Sequence, residues 1–104
     1  MGKISPAQWR TMDPGVLMAK SEIFEIFLVD NRENDWWVDN NDTWDVSIKL
    51  YAIKDNGFTR TIYTKWGEMD EDEVKRRAVE LVAQAYREEA KLWNSYAEHV
   101  EATV

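Results

Sequence analysis

Residues Trp44 to Trp66 read WDVSIKLYAIKDNGFTRTIYTKW. Val46, Ile48, Leu50 and Ala52 alternate with Asp45, Ser47, Lys49 and Tyr51, the period of a half-buried strand. Lys54-Asp55-Asn56-Gly57 has turn chemistry, and a second β-rich run follows it, so the stretch reads as a β-hairpin. Two registers compete. A two-residue type I′ turn at Asn56-Gly57 sets Lys65 opposite Ile48 and Tyr63 opposite Leu50, and sends Ile62 and Trp66 to the other face. A three-residue loop over Asp55–Gly57 pairs Leu50 with Ile62, Ile48 with Thr64 and Val46 with Trp66. A one-residue slip turns every side chain over, so the expected register is the one that gathers the apolar residues. It predicts a type I turn with Gly57 in the left-handed region, forming a bulge. Tyr51, Thr61 and Tyr63 then decorate the opposite face. A lone hairpin is marginal in water and needs a partner.

Glu22–Val29, EIFEIFLV, offers one. Ile23, Ile26 and Phe27 suit a helix, whereas Phe24, Ile26 and Leu28 suit one side of a strand. The short length and the aromatic and β-branched content favour a strand beside the hairpin. Downstream, Asp70 is placed as a helix N-cap with Glu73 at N3, and Met69 and Val74 as a hydrophobic staple. The acids Asp70 to Glu73 also oppose the positive end of the helix. Val74, Ala78, Leu81, Val82, Ala85, Leu92, Trp93 and Tyr96 share one broad face, with Arg76, Arg77, Glu80, Arg87, Lys91 and Glu98 opposite. A helix from Glu71 to about His99 would be about 43 Å long. A nine-residue strand spans only about 30 Å. Leu92, Trp93 and Tyr96 would overhang the sheet, making them a candidate contact for the N-terminal segment or for a second copy in a homodimer.

At the other end, Ser5-Pro6 and Asp13-Pro14 each look like an N-cap followed by proline at the first helical position. They predict short N-terminal helices. The expected fold is α+β in a single domain, 1–104. A helical cover (1–20) precedes a three- to four-stranded antiparallel sheet (21–68) that carries an acidic loop at 30–45. One long C-terminal helix (70–99) packs on the sheet.

The formal net charge is −7, which disfavours direct binding to nucleic acid or to an anionic membrane, since both need a basic surface. It suits a basic protein partner or imitation of a polyanion. There is no cysteine, hence no disulfide framework and no thiolate metal site. No apolar run resembles a signal peptide, and the longest, Ile23 to Val29, is interrupted by Glu25 and too short to span a bilayer. The expected location is the cytoplasm.

No motif names a reaction. The single histidine, His99, has no serine or cysteine placed beside it by sequence, and the four glycines are isolated rather than gathered in a phosphate loop. The expectation is a non-enzyme with no cofactor. Asp39, Asn41 and Thr43 alternate as in a calcium loop. Trp44 then stands where the glycine belongs and Leu50 where the bidentate glutamate belongs, so no metal site is expected.

What remains is binding. Asp30 to Asp45 holds six acids against one cation, Arg32, together with Trp36, Trp37 and Trp44. Neighbours in a strand point to opposite faces, so Trp36 and Trp37 are not both core. Tryptophan supplies large contact area at interfaces, and carboxylates steer a basic partner. Asp35, Trp36, Trp37, Asp39 and Asp42 are the candidate partner-binding residues.

The arrangement resembles the small dGTPase inhibitors of T-odd coliphages. The similar features are Asp35-Trp36-Trp37 in an acidic loop, a strand, the Asp55-Asn56-Gly57 turn and a second strand. An Asp70-Glu71-Asp72 start then leads into a helix ending near Trp93. The resemblance covers roughly residues 23 to 93. It implies a phage-encoded inhibitor of a host enzyme, at work in the host bacterium, and transfers no individual contact residue. The expected function is therefore a small acidic inhibitor that binds a host protein with a basic surface. Two alternatives stand beside it. One is a nucleic-acid mimic that blocks a DNA- or RNA-binding nuclease complex. The other is an assembly protein that oligomerises through its helix.

Overall fold

A computed structural model describes residues 7–33, 43–89 and 94–104. Its strands are β1 (Trp9–Asp13), β2 (Val16–Lys20), β3 (Phe24–Asp30), β4 (Trp44–Asp55) and β5 (Phe58–Trp66), and its helices are α1 (Glu71–Glu89) and α2 (Asn94–Glu101). The strands form one antiparallel sheet in the order β1-β2-β3-β4-β5. The fold is α+β, with five strands rather than three or four.

The predicted N-terminal helices are absent from the described residues, and a hairpin, β1-β2, occupies the segment. Asp13-Pro14 is a turn entry rather than a helix start. Gly15 sits at a φ of 79°, which a type II turn with proline before glycine requires, and Asp13 pairs with Val16 across it. Leu17 and Ala19 then alternate into the core. Gly15 also accepts a hydrogen bond from the Asp30 amide at 2.7 Å, tying the turn to β3.

β3 confirms the strand reading of Glu22–Val29, with Phe24, Ile26 and Leu28 fully buried. The β4-β5 hairpin differs from expectation in an instructive way. Its tip is the two-residue turn: Asp55 pairs with Phe58, and Asn56 and Gly57 take φ of 52° and 85°, the type I′ pattern. Below the tip the register shifts. Lys54 pairs with Thr59, yet Leu50 pairs with Arg60, so Tyr51, Ala52 and Ile53 bulge out of the ladder. Three bulged residues are an odd number, and they restore the parity that a two-residue turn loses. Ile48 therefore meets Ile62, Val46 meets Thr64 and Trp44 meets Trp66. These pairs are two residues away from the predicted ones, but the same side chains share the inner face.

Gly57 needs its left-handed conformation but nothing crowds it, since an added Cβ would meet no atom within 4 Å. Gly57→Ala should therefore cost only the conformational term, about 1 kcal/mol in a urea melt. An unchanged midpoint would argue against the type I′ turn.

One face of the sheet is covered. Val74, Ala78, Val82, Ala83 and Tyr86 of α1 are buried in a common core with Ile26, Leu28, Val46, Ile48 and Leu50. The predicted cap is present, with Asp70 Oδ1 accepting from the Glu73 amide at 2.8 Å. The single long helix is not. α1 has 19 residues, about 28 Å, close to the span of a nine-residue strand such as β5. α2 lies back against α1. Tyr96 packs edge-on to Tyr86 with ring centroids 5.8 Å apart, and Ala97 and Val100 are buried. Tyr96 and Val100 thus have partners within the chain, while Leu92 and Trp93 lie outside the described residues. Beyond α2, the Val104 carbonyl accepts from the Trp9 amide at 2.8 Å and the Val104 amide donates to Ala7 at 3.0 Å. The C-terminus so closes along the start of β1.

Candidate functional site

The acidic segment predicted to bind a partner leaves the sheet at the end of β3 and returns at the start of β4. Asp35, Trp36, Trp37, Asp39 and Asp42 all lie outside the described residues, so its description rests on its two ends.

Those ends are tied together. Asp30 pairs with Trp44, and the Asn31 amide donates to the Thr43 carbonyl at 2.8 Å. Asn31 and Thr43 are both buried. Asn31–Glu33 forms one 3₁₀ turn, which swings Arg32 across the gap. The Arg32 guanidinium grips Asp30 with two hydrogen bonds, Nε to Oδ1 at 2.9 Å and Nη2 to Oδ2 at 3.0 Å. This bidentate fork is the stronger kind of ion pair. Glu68 stands 3.8 Å from the same guanidinium, which also lies 5.6 Å from the centre of the Trp44 ring.

Trp44 completes the junction. Its ring is 2% exposed, and its Nε1 donates to the Met69 carbonyl at 3.0 Å. Arg32 Nη2 reaches that carbonyl at 3.4 Å. Met69 is the residue before the N-cap of α1, and its half-buried side chain packs against the core. One buried indole therefore joins the base of the acidic segment to the start of the helix. Of the three tryptophans in Asp30–Asp45, this one is a core residue.

The consequence is electrostatic. Glu68, Asp70, Glu71, Asp72 and Glu73 are exposed at the end of the sheet from which the segment 34–42 departs. At the other flank Asp45 pairs across strands with Lys65 at 3.8 Å. Carboxylates from two distant parts of the sequence meet at one end of the molecule.

Arg32 and Met69 were not candidate residues on sequence grounds. Arg32 is the lone cation in its segment, and a lone cation among six acids is a signal for an internal tie. The part played by Met69 is made by its backbone carbonyl and leaves no trace in residue type.

Among the described residues, no group of three or more histidine or carboxylate side chains could hold a metal, and no helix is long and apolar enough to cross a membrane. No family model, curated protein or solved structure matches this chain.

Proposed function

We propose that the protein is a small acidic inhibitor, phage-encoded, that binds a host protein through a basic surface on that partner. Asp35, Trp36, Trp37, Asp39 and Asp42 would form the contact. One observation supports this reading above the others. The segment that carries these residues is anchored at both ends by the Arg32–Asp30 fork and the buried Trp44, next to the acidic start of α1. A segment held at its base presents its residues at a lower ordering cost than a free one. The neighbouring carboxylates add to its field and steer a basic partner.

The experiment is affinity capture from a bacterial lysate with mass spectrometry, followed by titration of the captured partner against variants. One of Trp36→Ala and Trp37→Ala should weaken binding by about 2 kcal/mol without lowering stability. Asp39→Asn with Asp42→Asn should mainly slow association, and less so at high salt. Binding that collapses entirely with salt and ignores both tryptophans would favour imitation of nucleic acid instead. If both tryptophan variants bind the captured partner as the wild type does, the proposed surface is wrong.

A further inference from the structure

The two edges of the sheet are treated differently. β1 is five residues long, its register is broken between Thr11 and Asp13, and the C-terminal Val104 hydrogen-bonds along its start. Short length, a bulge and a covering segment are the usual ways a protein protects an edge from pairing. β5 has none of them. It is nine residues long, FTRTIYTKW, with a regular register from Arg60 to Trp66 and no strand or terminus paired to its outer side among the described residues. Its side chains are β-branched and aromatic, and Phe58 and Tyr63 are 76% and 75% exposed. Of the devices that protect an edge it carries only charge, at Arg60 and Lys65.

We propose that β5 pairs with β5 of a second copy across a two-fold axis at Ile62, joining the two sheets into one. The strand is suited to its own copy. Ile62 is the midpoint of Phe58–Trp66, so an antiparallel pairing of Ile62 with its own copy overlaps all nine residues. In that register Arg60 faces Thr64 of the other copy and Lys65 faces Thr59, so neither cation meets a like charge. Thr61 faces Tyr63. On the helix side, Phe58 faces Trp66, and a solvent-exposed aromatic ring gains an aromatic neighbour. Trp66 already lines a groove of about 670 Å³ between β5 and α1, together with Ile62, Leu81 and Arg77. The Arg77 guanidinium lies over the Trp66 ring at 4.7 Å. A contact built on one strand pair buries little area, so the dimer is expected to be weak and concentration-dependent.

The proposal is independent of the acidic segment and of any host target. Sedimentation of the purified full chain should show a monomer–dimer equilibrium with dimer populated at high micromolar concentration. Ile62→Lys sets two ammonium groups opposite each other at the axis and should weaken the dimer at least tenfold while the circular dichroism of the monomer is retained. Ile62 is half-buried, so a second measurement guards against misfolding. The chain has no cysteine, so single cysteines report directly. Ile62→Cys should form a disulfide-linked dimer on oxidation, and Lys49→Cys, on the neighbouring strand, should not. A wild type that stays monomeric at high micromolar concentration overturns the proposal. So does a dimer that cross-links equally at both positions, or a β5 that pairs only with a foreign strand.

Discussion

Trp44→Ala should destabilise the protein by about 3–5 kcal/mol, the range for truncating a buried large aromatic side chain. For a domain whose whole stability is on the order of 5–15 kcal/mol, that is a loss visible in any urea melt. Three effects act together. The indole is 2% exposed, so its removal opens a cavity between β4 and the start of α1. The Met69 carbonyl loses its donor at 3.0 Å and keeps only the longer contact from Arg32. Arg32 loses the ring beneath it, though not its fork on Asp30. Trp44→Phe separates these effects, since it retains most of the apolar area and removes the donor. It should cost about 1–2 kcal/mol, the scale of one hydrogen bond in a partly buried place. If Trp44→Ala melts within about 1 kcal/mol of the wild type, Trp44 is not the junction described above. The variant also bears on function. With the base of the acidic segment loosened, binding measured on the folded fraction should weaken even though Trp44 is itself inaccessible.

How much of this was legible in the sequence depends on which force decides each element. The core faces of β3 and β4 were legible because burial writes a period of two into the residue types. The N-cap was legible because Asp70, Glu73, Met69 and Val74 stand at fixed offsets that only a helix start uses. The parity of the hairpin was legible, but not the device that sets it. The pattern showed that an odd residue had to be accommodated, and the tip was the nearest place to put it. The chain puts three residues at Tyr51–Ile53 instead, where Tyr86 of α1 takes the Ala52 amide and the Ile23 carbonyl takes the Tyr51 amide. That is a tertiary fact, absent from any local window.

The N-terminal hairpin was misread for a local reason. Asp-Pro suits both a helix start and a turn, and only Gly15, at a positive φ, tilts the balance. β1 could not correct the reading, because four of its five residues are exposed and it carries no alternation. The division of the C-terminal helix left less trace still. No proline or glycine occurs after Gly67, and Asn94-Ser95 is a weak start signal. What distinguishes α2 is that Ala97 and Val100 bury and Tyr96 meets Tyr86, again a matter of packing. The candidate contact residues at 35–42 rest on composition alone.

Tyr86→Phe should cost roughly 1–3 kcal/mol, although it removes a single oxygen atom, because the Ala52 amide loses its side-chain partner and the Ile23 carbonyl is left with the Tyr51 amide alone, at 3.0 Å. The Tyr86 side chain is fully buried where α1 crosses the β4 bulge. Its hydroxyl donates to the Ile23 carbonyl and accepts from the Ala52 amide at 3.4 Å. Ala52 is one of the bulged residues with no β5 partner, so the helix supplies what the ladder does not. The same burial makes the cost depend on pH. Burial pushes the Tyr86 phenol up to about 12 from its ordinary value of 10, working against the Ala52 amide, which favours the phenolate. A raised acid means that the folded protein holds this proton more tightly than the unfolded chain does. The stabilisation is complete below pH 10, where both states are protonated, and it drains away as the pH climbs from about 10 towards 12. The loss is at most about 1.4 kcal/mol for each pH unit in that window. Tyr86→Phe cannot lose what it lacks. The gap between wild type and variant in urea melts should therefore be constant from neutral pH to about pH 9.5 and narrow above it. Titration of the other tyrosines is common to both proteins and cancels in the difference. A gap that stays constant through pH 11, or one that is small at neutral pH, would mean that the Tyr86 hydroxyl does not bridge Ile23 and Ala52.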